Sequence, residues 1–283
     1  MTLNLDIIGR AVVDDEPWEW AARDTLLYAL GVGAGMDGDR ELALTTDSSR
    51  GVAQQVLPTF AVVMGMGRSE IGMGEFGDFP MTRVLHAGQR VVSHAAIPAT
   101  GAVTCTRNVT RILDKGKNAL IETTAGFRDA SSGELLVEST SQIMVRGEGG
   151  FGGDAGPKDA WAAPERPADR TVSQQTHPNQ ALLYRLSGDT NPLHSDPSFA
   201  ADAGFPRPIL HGLCTYGFAA RAVLETVADG DTERFGSFGA RFSSPVFPGE
   251  LLQTRIWRTE TGAVFQTLAG ERIVLDRGEF SLR

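Results

Sequence analysis

A glycine-rich segment near the middle of the chain separates two halves that repeat the same order of secondary structure. It covers residues 147–153, Gly-Glu-Gly-Gly-Phe-Gly-Gly, and three further prolines follow it. Glycine and proline interrupt helices and strands, so this composition is typical of a linker. On each side, an apolar helical stretch precedes several strand-like runs. The repeat predicts two units, residues 1–147 and 171–283, joined by a linker over 148–170.

The predicted elements are similar in the two halves. In the first half, the patterns indicate helices over 15–33 and from about 58 to 66, and strands over 91–97, 102–113, 119–127 and 135–145. In the second half, they indicate a buried helix after Gly212 and strands near 238–242, 251–258, 263–269, 272–276 and 279–282. A helix laid across an antiparallel sheet, formed twice, is a layered arrangement. The predicted fold class is therefore α+β, with each half a long helix against an antiparallel β-sheet.

Composition limits the classes of partner and compartment. Of the 283 residues, 41% are hydrophobic and 22% charged, as in an ordinary globular protein. The formal net charge of −9 argues against nucleic-acid or anionic-membrane partners, because both need a positive surface. Cys105 and Cys214 are far apart and belong to no metal-binding motif. Neither a signal peptide nor a transmembrane run is found, so a cytoplasmic protein without metal or cofactor is predicted.

The strongest chemical signal lies at residues 186–194, Leu-Ser-Gly-Asp-Thr-Asn-Pro-Leu-His. Its Asn-Pro pair argues against one continuous helix, because the residue before proline is pushed out of the helical region. The segment is therefore predicted to be a turn, with Gly188 relieving backbone strain, that folds Asp189 and His194 toward one point. A carboxylate that holds a water beside an imidazole suits the addition or removal of water across a carbon–carbon double bond.

A second element follows at residues 209–213, Ile-Leu-His-Gly-Leu. Small and apolar residues continue beyond it, so His211-Gly212 is interpreted as the start of a helix. Free N–H groups and the positive end of the helix dipole lie at such a start, and glycine lets a ligand carbonyl approach them. We therefore predict that the Gly212 amide stabilises charge on a thioester oxygen. His211 itself is left open between a packed core residue and a catalytic one.

Other interpretations of these motifs are weaker. Asp189 and His194 would also fit a capped turn with a structural histidine, but the helix start that follows them favours catalysis. The run Gly-Val-Gly-Ala-Gly at 31–35 follows a helix rather than a strand, which argues against dinucleotide binding. No Gly-x-Ser-x-Gly surrounds Ser187, so a serine hydrolase is not expected.

The first half lacks both elements. Its corresponding helix start reads Val-Leu-Pro-Thr over residues 56–59, and no Gly-Asp-x-Asn-Pro-x-His sequence precedes it. Proline has no N–H to donate, so Pro58 blocks an oxyanion site there. Only the second half is expected to be catalytic, with the first half shaping the binding cleft.

The two elements resemble the (R)-specific enoyl-CoA hydratases, also called hydratase 2 or MaoC-like dehydratases. This family includes the hydratase part of peroxisomal multifunctional enzymes and actinobacterial 3-hydroxyacyl-thioester dehydratases. Its signature covers residues 184–200, where residues 186–194 fit at every fixed position, and it extends through 204–212. The segments 113–116, 149–153 and 241–249 also look like segments of this family. The resemblance implies two tandem hotdog folds, a degenerate first half, a catalytic second half and a homodimer.

The resemblance also implies a reaction and its residues. Water would add reversibly to a trans-2-enoyl-CoA to give the (3R)-3-hydroxyacyl-CoA in fatty-acid metabolism, with Asp189 and His194 as the dyad and Gly212 on the thioester oxygen. The expected contacts to the acyl-CoA are His86, Ala87, Lys115, Thr190, Asn191, Pro192, Leu193, Arg207 and Phe242. The family usually has glycine where Ala87 stands. Lys115 and Arg207 suit the CoA phosphates, because an acidic chain needs local positive charge there.

Two other functions stay open from the sequence. A (3R)-hydroxyacyl carrier-protein dehydratase of lipid or polyketide synthesis would use the same dyad. A non-catalytic acyl-CoA-binding homologue would need a broken dyad, whereas this one is intact.

Overall fold

The computed structural model describes residues 3–36, 38, 41–66, 71–157 and 161–283. The α-helices in these residues are α1 (Ala22–Gly31), α2 (Leu42–Thr45), α3 (Gln180–Tyr184), α4 (Pro197–Asp202) and α5 (Gly212–Ala228). Short 3₁₀ helices lie at Leu5–Ile7, Pro58–Val62, Met73–Glu75, Met81–Arg83, Arg185–Ser187, Pro192–His194 and Thr232–Arg234. No helix in this part of the chain is long and apolar enough to cross a membrane.

The described strands join in one antiparallel sheet. In the first half they are β1 (Ala11–Val13), β2 (Trp18–Trp20), β3 (Val84–Ser93), β4 (Gly101–Asp114), β5 (Ala119–Asp129) and β6 (Leu135–Val145). In the second half they are β7 (Arg170–Gln175), β8 (Phe235–Phe242), β9 (Leu251–Thr259), β10 (Gly262–Ala269) and β11 (Arg272–Leu282).

The order of the strands in the sheet shows the duplication. It runs β1-β4-β5-β6-β3-β8-β11-β10-β9-β7, and β2 also pairs with β4. Reversing the order of the first half therefore matches β3, β4, β5 and β6 with β8, β9, β10 and β11. The two halves meet where β3 and β8 pair antiparallel, with Arg90 opposite Gly239. The two halves share one continuous sheet, and each half contributes the same arrangement of strands to it.

The helix α5 organises the core of the second half. It packs against β8, β9, β10 and β11, and its small residues Ala219 and Ala220 are fully buried. In the first half, the 3₁₀ helix Pro58–Val62 lies against β3 and β6 and takes the equivalent place. A helix against each half of an antiparallel sheet is the tandem hotdog arrangement, so the predicted α+β fold class is confirmed.

The helix predicted over 15–33 begins later than expected, at Ala22. Trp18–Trp20 instead forms β2 and pairs with β4. Its three residues are too few for strand alternation to be recognised in the sequence. The helix starts where the Asp24 carboxylate accepts the Ala21 N–H at 2.8 Å, which caps its first turn.

The helix predicted from about 58 to 66 is a 3₁₀ helix that ends at Val62. Gly65 then turns the chain with a φ of +65°, which ends the helical pattern. Its carbonyl oxygen accepts a hydrogen bond from Arg107 Nη2 at 3.2 Å. The first half therefore has a short helix where the second half has the long α5.

Two strand predictions are wrong at their bounds because of β-bulges. The strand predicted over 91–97 is β3, which starts earlier and ends earlier, and a bulge at His86 hides its alternation in the sequence. The strands predicted over 272–276 and 279–282 are one strand, β11. Its bulge lies at Arg277, whose φ is +53°, and this irregularity splits the pattern in two.

The described part of the segment between β6 and β7 is anchored to the end of β4. The Asp114 carboxylate accepts the N–H groups of Gly150 and Gly152 at 2.9 and 2.8 Å. These bonds, the one from Gly150 first, lower the pKa of Asp114. The glycines of the predicted linker thus bring backbone donors close to a carboxylate. The boundaries 148–170 stay a prediction, and residues 158–160 lie outside the described residues.

Candidate active site

The motif segment, residues 186–194, is a compact turn. Gly188 has a φ of +124°, a conformation that favours glycine. The Asn191 side chain caps the 3₁₀ helix Pro192–His194 by accepting the Leu193 N–H at 3.0 Å. The prediction of a turn rather than a continuous helix is confirmed.

His194 lies buried at the end of this turn, with 9% of its surface exposed. Its Nδ1 donates a hydrogen bond to the Ile209 carbonyl oxygen at 2.8 Å, which leaves Nε2 as the basic nitrogen. Burial lowers the pKa of His194, against the opposing effects of the Ile209 carbonyl and Asp189. The imidazole is therefore neutral near pH 7 and can accept a proton.

Asp189 and two histidines form a tight cluster. A carboxylate oxygen of Asp189 and one ring nitrogen each of His194 and His211 lie within 4.8 Å of one another. The two imidazole rings are stacked, with centroids 3.8 Å apart and planes inclined by 28°. His211 Nε2 donates to the main-chain oxygen of Asp189 at 3.2 Å. The structure brings together the acid and the histidine that the sequence pairs, and it adds a second imidazole.

The geometry of this cluster does not suit a metal ion, although its residue types can bind metals. An imidazole binds a metal through a nitrogen lone pair in the plane of its ring, at about 2 Å. Because the rings of His194 and His211 are stacked, no point at that distance from both lies in both planes. Proton transfer to and from a bound water is the chemistry that fits the cluster.

The helix α5 begins at Gly212 with His211 as its N-cap residue, as predicted. The N–H groups of Gly212 and Leu213 have no hydrogen-bond acceptor within the described part of the chain. A Cβ atom at position 212 would lie 3.2 Å from the ring of Phe242, so glycine lets this ring pack closely against the helix start. The helix start therefore offers two donors and the positive end of its dipole to an incoming oxygen.

Several residues expected to contact the substrate lie around this helix start. The rings of His86 and Phe242 have centroids 4.7 Å apart, and His86 Nε2 lies 3.1 Å from the Ser141 hydroxyl. Ala87 stands in the bulge that follows His86. The other expected contacts are exposed or half-buried residues of the turn itself: Thr190, Asn191, Pro192 and Leu193.

Lys115, expected at the CoA phosphates, lies in the turn after β4. Its Nζ donates to the carbonyl oxygen of Ala155. The strand register places this turn at the end of the sheet where β3 begins, which is the end that carries His86. The Lys115 ammonium group thus lies two strands away from β3, at the same end of the sheet as His86.

Arg207, the second expected phosphate contact, is held by the loop between β8 and β9. Its Nη1 donates to the Pro248 carbonyl oxygen at 3.1 Å, and its guanidinium lies over the Phe247 ring, 4.9 Å from the centroid. The hydrogen bond uses one N–H group of the guanidinium, and the Phe247 ring contacts its face. A guanidinium has further N–H donors that could reach a phosphate.

A pocket beside Gly188 has a mixed polar and apolar lining, mainly from the first half, which was expected to shape the binding cleft. It has a volume of about 290 Å³, and its apolar lining comes mainly from the first half: Trp18, Leu27, Phe60, Val63, Met66 and Leu186. These residues belong to β2, α1, the short 3₁₀ helix and the turn after it, and the motif turn. No local pattern links them, because they are distant in the sequence and meet only in the folded chain.

We expect the protein to lose stability as the pH falls below the usual histidine pKa. Burial, together with the adjacent His194, lowers the pKa of His211 to about 4. Between about pH 6.5 and that value, the unfolded chain binds more protons than the folded one. Protonation of His211 therefore favours the unfolded chain. Its effect is absent above pH 6.5, and the stability of the folded protein decreases as the pH falls toward 4. Between pH 7 and pH 5, the melting temperature of His211→Gln should fall less than that of the wild type. An equal fall in the two proteins would contradict the lowered pKa of His211.

Two family models match this chain, one in each half. Residues 18–147 match the MFE-2 hydratase 2 N-terminal domain, and residues 159–276 match the MaoC like domain. The chain is 47% identical to 3-hydroxyacyl-thioester dehydratase Y of Mycobacterium tuberculosis, over 98% of each chain. It is also 42% identical to enoyl-CoA hydratase ChsH3 of the same organism, over 96% of this chain and 95% of that protein.

Solved structures agree with these matches. The MaoC-like dehydratase from Phytophthora capsici is 32% identical, with a TM-score of 0.89 over 99% of this chain and 98% of that one. A Mycobacterium tuberculosis protein described as a double hotdog fold is 14% identical, with a TM-score of 0.56 over 97% and 96% of the two chains, and shares the fold alone. On the sequence identity to its relatives over nearly its whole length, the chain belongs to the MaoC-like dehydratase family, with a first half of the hydratase 2 type.

Proposed function

We propose that this protein catalyses the reversible addition of water to a trans-2-enoyl-CoA, giving the (3R)-3-hydroxyacyl-CoA in fatty-acid metabolism. The observation that carries the proposal is the pairing of Asp189 and His194 beside the N–H groups at the start of α5, which have no acceptor in the described part of the chain. One relative is named an enoyl-CoA hydratase and another a 3-hydroxyacyl-thioester dehydratase, which supports one hydro-lyase reaction in its two directions.

The dyad would bind one water against the third carbon of the substrate. The neutral His194, through Nε2, and the Asp189 carboxylate would each accept a hydrogen bond from that water, and the dyad would take the proton that the water loses. The water oxygen bonds to the third carbon as the double-bond electrons move toward the thioester carbonyl. The second carbon then takes a proton from the dyad, which returns to its starting state. Both additions occur on the face of the substrate that meets the dyad.

The start of α5 would stabilise the charge that develops between these two steps. As water attacks, the thioester oxygen becomes the oxygen of an enolate and gains negative charge. The N–H of Gly212 has no acceptor among the described residues and lies at the positive end of a 17-residue helix, so it is a fixed donor for that oxygen. Gly212 is exposed, so a ligand can reach it without moving the helix.

The CoA group would leave this site past His86, Ala87 and Phe242 toward Lys115. Two observations support this route. The His86 ring contacts the Phe242 ring beside the helix start, and the Lys115 turn lies at the same end of the sheet. A phosphate would replace the Ala155 carbonyl as the partner of Lys115, because a hydrogen bond between two charged groups is the stronger one. The turn residues 190–193 and Arg207 would complete the contacts.

The pocket beside Gly188 is the proposed acyl site, because apolar side chains of the first half form one part of its lining. Gly188 directly precedes Asp189, which places the pocket next to the motif turn. Its volume of about 290 Å³ corresponds to about ten water-sized groups of about 30 Å³ each, which suits a medium chain. Glu19 and Asp24 also line the pocket, and their charges disfavour acyl chains that end in a carboxylate.

Filling the pocket should shorten the acyl chains that the enzyme accepts. Leu27 lines the pocket on α1, and Leu27→Trp places a larger side chain in the same space. We expect kcat/KM for a ten-carbon enoyl-CoA to fall by about tenfold or more, because several methylenes lose their burial, with little change for a four-carbon substrate. Leu30→Trp is the matched control, since Leu30 lies on the same helix, is 41% exposed and does not line the pocket. An equal loss on both chain lengths would contradict the acyl assignment.

The proposed reaction is tested by turnover and stereochemistry. Purified protein is incubated with a series of trans-2-enoyl-CoA thioesters, and the 3-hydroxy products are resolved on a chiral column. The proposal expects the (3R) product from medium-chain substrates. Formation of the (3S) product, or no hydration of any chain length, would refute it.

The carrier-protein alternative is separated by the thioester group alone. The name of the relative at 47% identity leaves the thioester unspecified, which keeps this alternative in view. Matched CoA and carrier-protein thioesters of one acyl chain should be compared at equal concentrations. A higher kcat/KM for CoA is expected. A non-catalytic acyl-CoA-binding protein would bind the CoA thioester and turn over neither.

We further propose that the protein works as a homodimer in the cytoplasm, with residues 1–147 and 171–283 as its two units. The net charge of −9 supports the expectation that neither nucleic acids nor anionic membranes are partners. Light scattering on the purified protein measures the oligomeric state, and a monomeric mass would contradict the dimer.

A further inference from the structure

The proposed reaction uses Asp189 and His194. It gives no role to His211, the third ionisable residue of the cluster. His211 has 1% of its surface exposed, which makes it the more deeply buried of the two histidines. Burying an imidazole is unfavourable unless its polar atoms find partners. Each of the contacts that His211 makes is therefore informative.

These contacts join the three parts of the proposed site. The His211 side chain donates from Nε2 to the main-chain oxygen of Asp189 at 3.2 Å, so it holds the residue that carries the acid. Its ring stacks on His194 at a centroid distance of 3.8 Å. Its main chain is the N-cap of α5, directly before Gly212. One residue thus contacts the acid, the base and the oxyanion donors.

The hydrogen bond to Asp189 also assigns the tautomer of His211. A carbonyl oxygen only accepts, so Nε2 carries the proton and Nδ1 is a bare acceptor. Nδ1 is buried, with no hydrogen-bond partner in the described residues. The ring of Tyr184 packs against His211 at 4.9 Å, and its buried hydroxyl is unpartnered in the same part of the structure. Burial raises the pKa of Tyr184 well above its usual value, so this hydroxyl stays protonated as a donor.

We propose that His211 is a positioning residue: as the neutral Nε2–H tautomer, it fixes the Asp189 turn and the His194 ring relative to the start of α5. This inference rests on the proposed hydration. His211 touches no reacting atom in it. Its effect is on geometry, and geometry matters because a displacement of about 1 Å in a catalytic group can cost about a hundredfold in rate.

A positioning role makes a different prediction from a packing role. If His211 only fills space, an apolar residue of similar size should keep kcat, and an amide should be worse because it buries more polar surface. If the Nε2–H donor matters, an amide that reaches the Asp189 oxygen should keep more of kcat than an apolar residue does. Glutamine carries an N–H donor at the distance of Nε2, whereas asparagine carries one too short to reach the Asp189 oxygen, and leucine carries none.

The test compares His211→Leu, His211→Gln and His211→Asn on one enoyl-CoA substrate. For Leu and Asn we expect kcat to fall by about tenfold to a hundredfold with KM within about threefold of wild type, since the lost element is geometry at the dyad. Gln should recover kcat to within about fivefold of wild type. Equal kcat in Gln and Leu, or wild-type kcat in Leu, would overturn the proposal.

Thr254→Val controls for the loss of one buried hydrogen bond. The Thr254 hydroxyl lies 3.0 Å from that of Thr267, and both residues are fully buried between β9 and β10. This variant should lower the melting temperature and leave kcat unchanged. A fall in kcat that matched the fall for His211→Leu would show that instability alone explains the result, and it would overturn the positioning role.

A spectroscopic measurement keeps the proposal testable if His211→Leu does not fold. Ring-nitrogen NMR on the wild type, with the His211 signals assigned through His211→Gln, should show the neutral Nε2–H tautomer at pH 7. A protonated Nδ1 would overturn it. The proposed function is tested separately, since wild-type protein without hydratase activity would refute the reaction while leaving the tautomer measurable.

Discussion

Asp189→Asn is expected to lower the hydration of a medium-chain enoyl-CoA by about a hundredfold or more, the usual cost of losing an acid–base group. Asparagine keeps the shape of the side chain and its hydrogen bond to the Asn191 N–H, which Asp189 Oδ1 now accepts at 3.2 Å. It cannot take or give a proton. The loss should therefore appear in kcat, with the melting temperature close to that of the wild type.

Asp196→Asn is the matched control for this substitution. Asp196 lies in the same loop and caps α4, where its carboxylate accepts the Ser198 N–H at 2.8 Å. Asparagine caps a helix about as well as aspartate, so neither stability nor turnover should change appreciably. If the two variants had the same activity, Asp189 would not be the acid–base residue.

His194→Ala is expected to have an effect of similar size, roughly a hundredfold or more in kcat, because it removes the basic Nε2 atom of the dyad. The substitution also leaves a space beside His211, whose ring stacks on it. Added imidazole should enter that space and restore part of the turnover. Steady-state hydration with and without imidazole is the measurement.

His177→Ala provides the control for the histidine variant, since His177 is an exposed histidine of the same half outside the cluster. It should keep wild-type turnover and should not respond to imidazole. Near-normal turnover in both Asp189→Asn and His194→Ala would contradict the dyad and, with it, the proposed mechanism.

Much of the candidate site could be predicted because local rules decide it. The residue before a proline avoids the helical region, so Pro192 alone made the segment from Asp189 to His194 a turn. A glycine followed by a long apolar run marked the start of α5 at Gly212, and the structure has it there. The strands with regular alternation, such as β4, β5 and β6, were also located closely.

The misses share one physical cause. Trp18 lies on a strand of three residues, which is too short to show a period, and its place beside the motif turn depends on how the halves pack. The bulges at His86 and Arg277 interrupt the alternation that would have located β3 and β11. In each case the deciding interaction joins residues far apart in the chain.

The sequence by itself determined the duplicated α+β arrangement, the turn that carries Asp189 and His194, and the helix start at Gly212. These follow from backbone sterics and side-chain periodicity, which act between residues a few positions apart. Only the tertiary structure decided that His211 stacks on His194 and holds Asp189, and which side chains of the first half line the pocket beside Gly188. Burial and packing across the seam between β3 and β8 bring these groups together, and no local pattern records which distant side chains will meet.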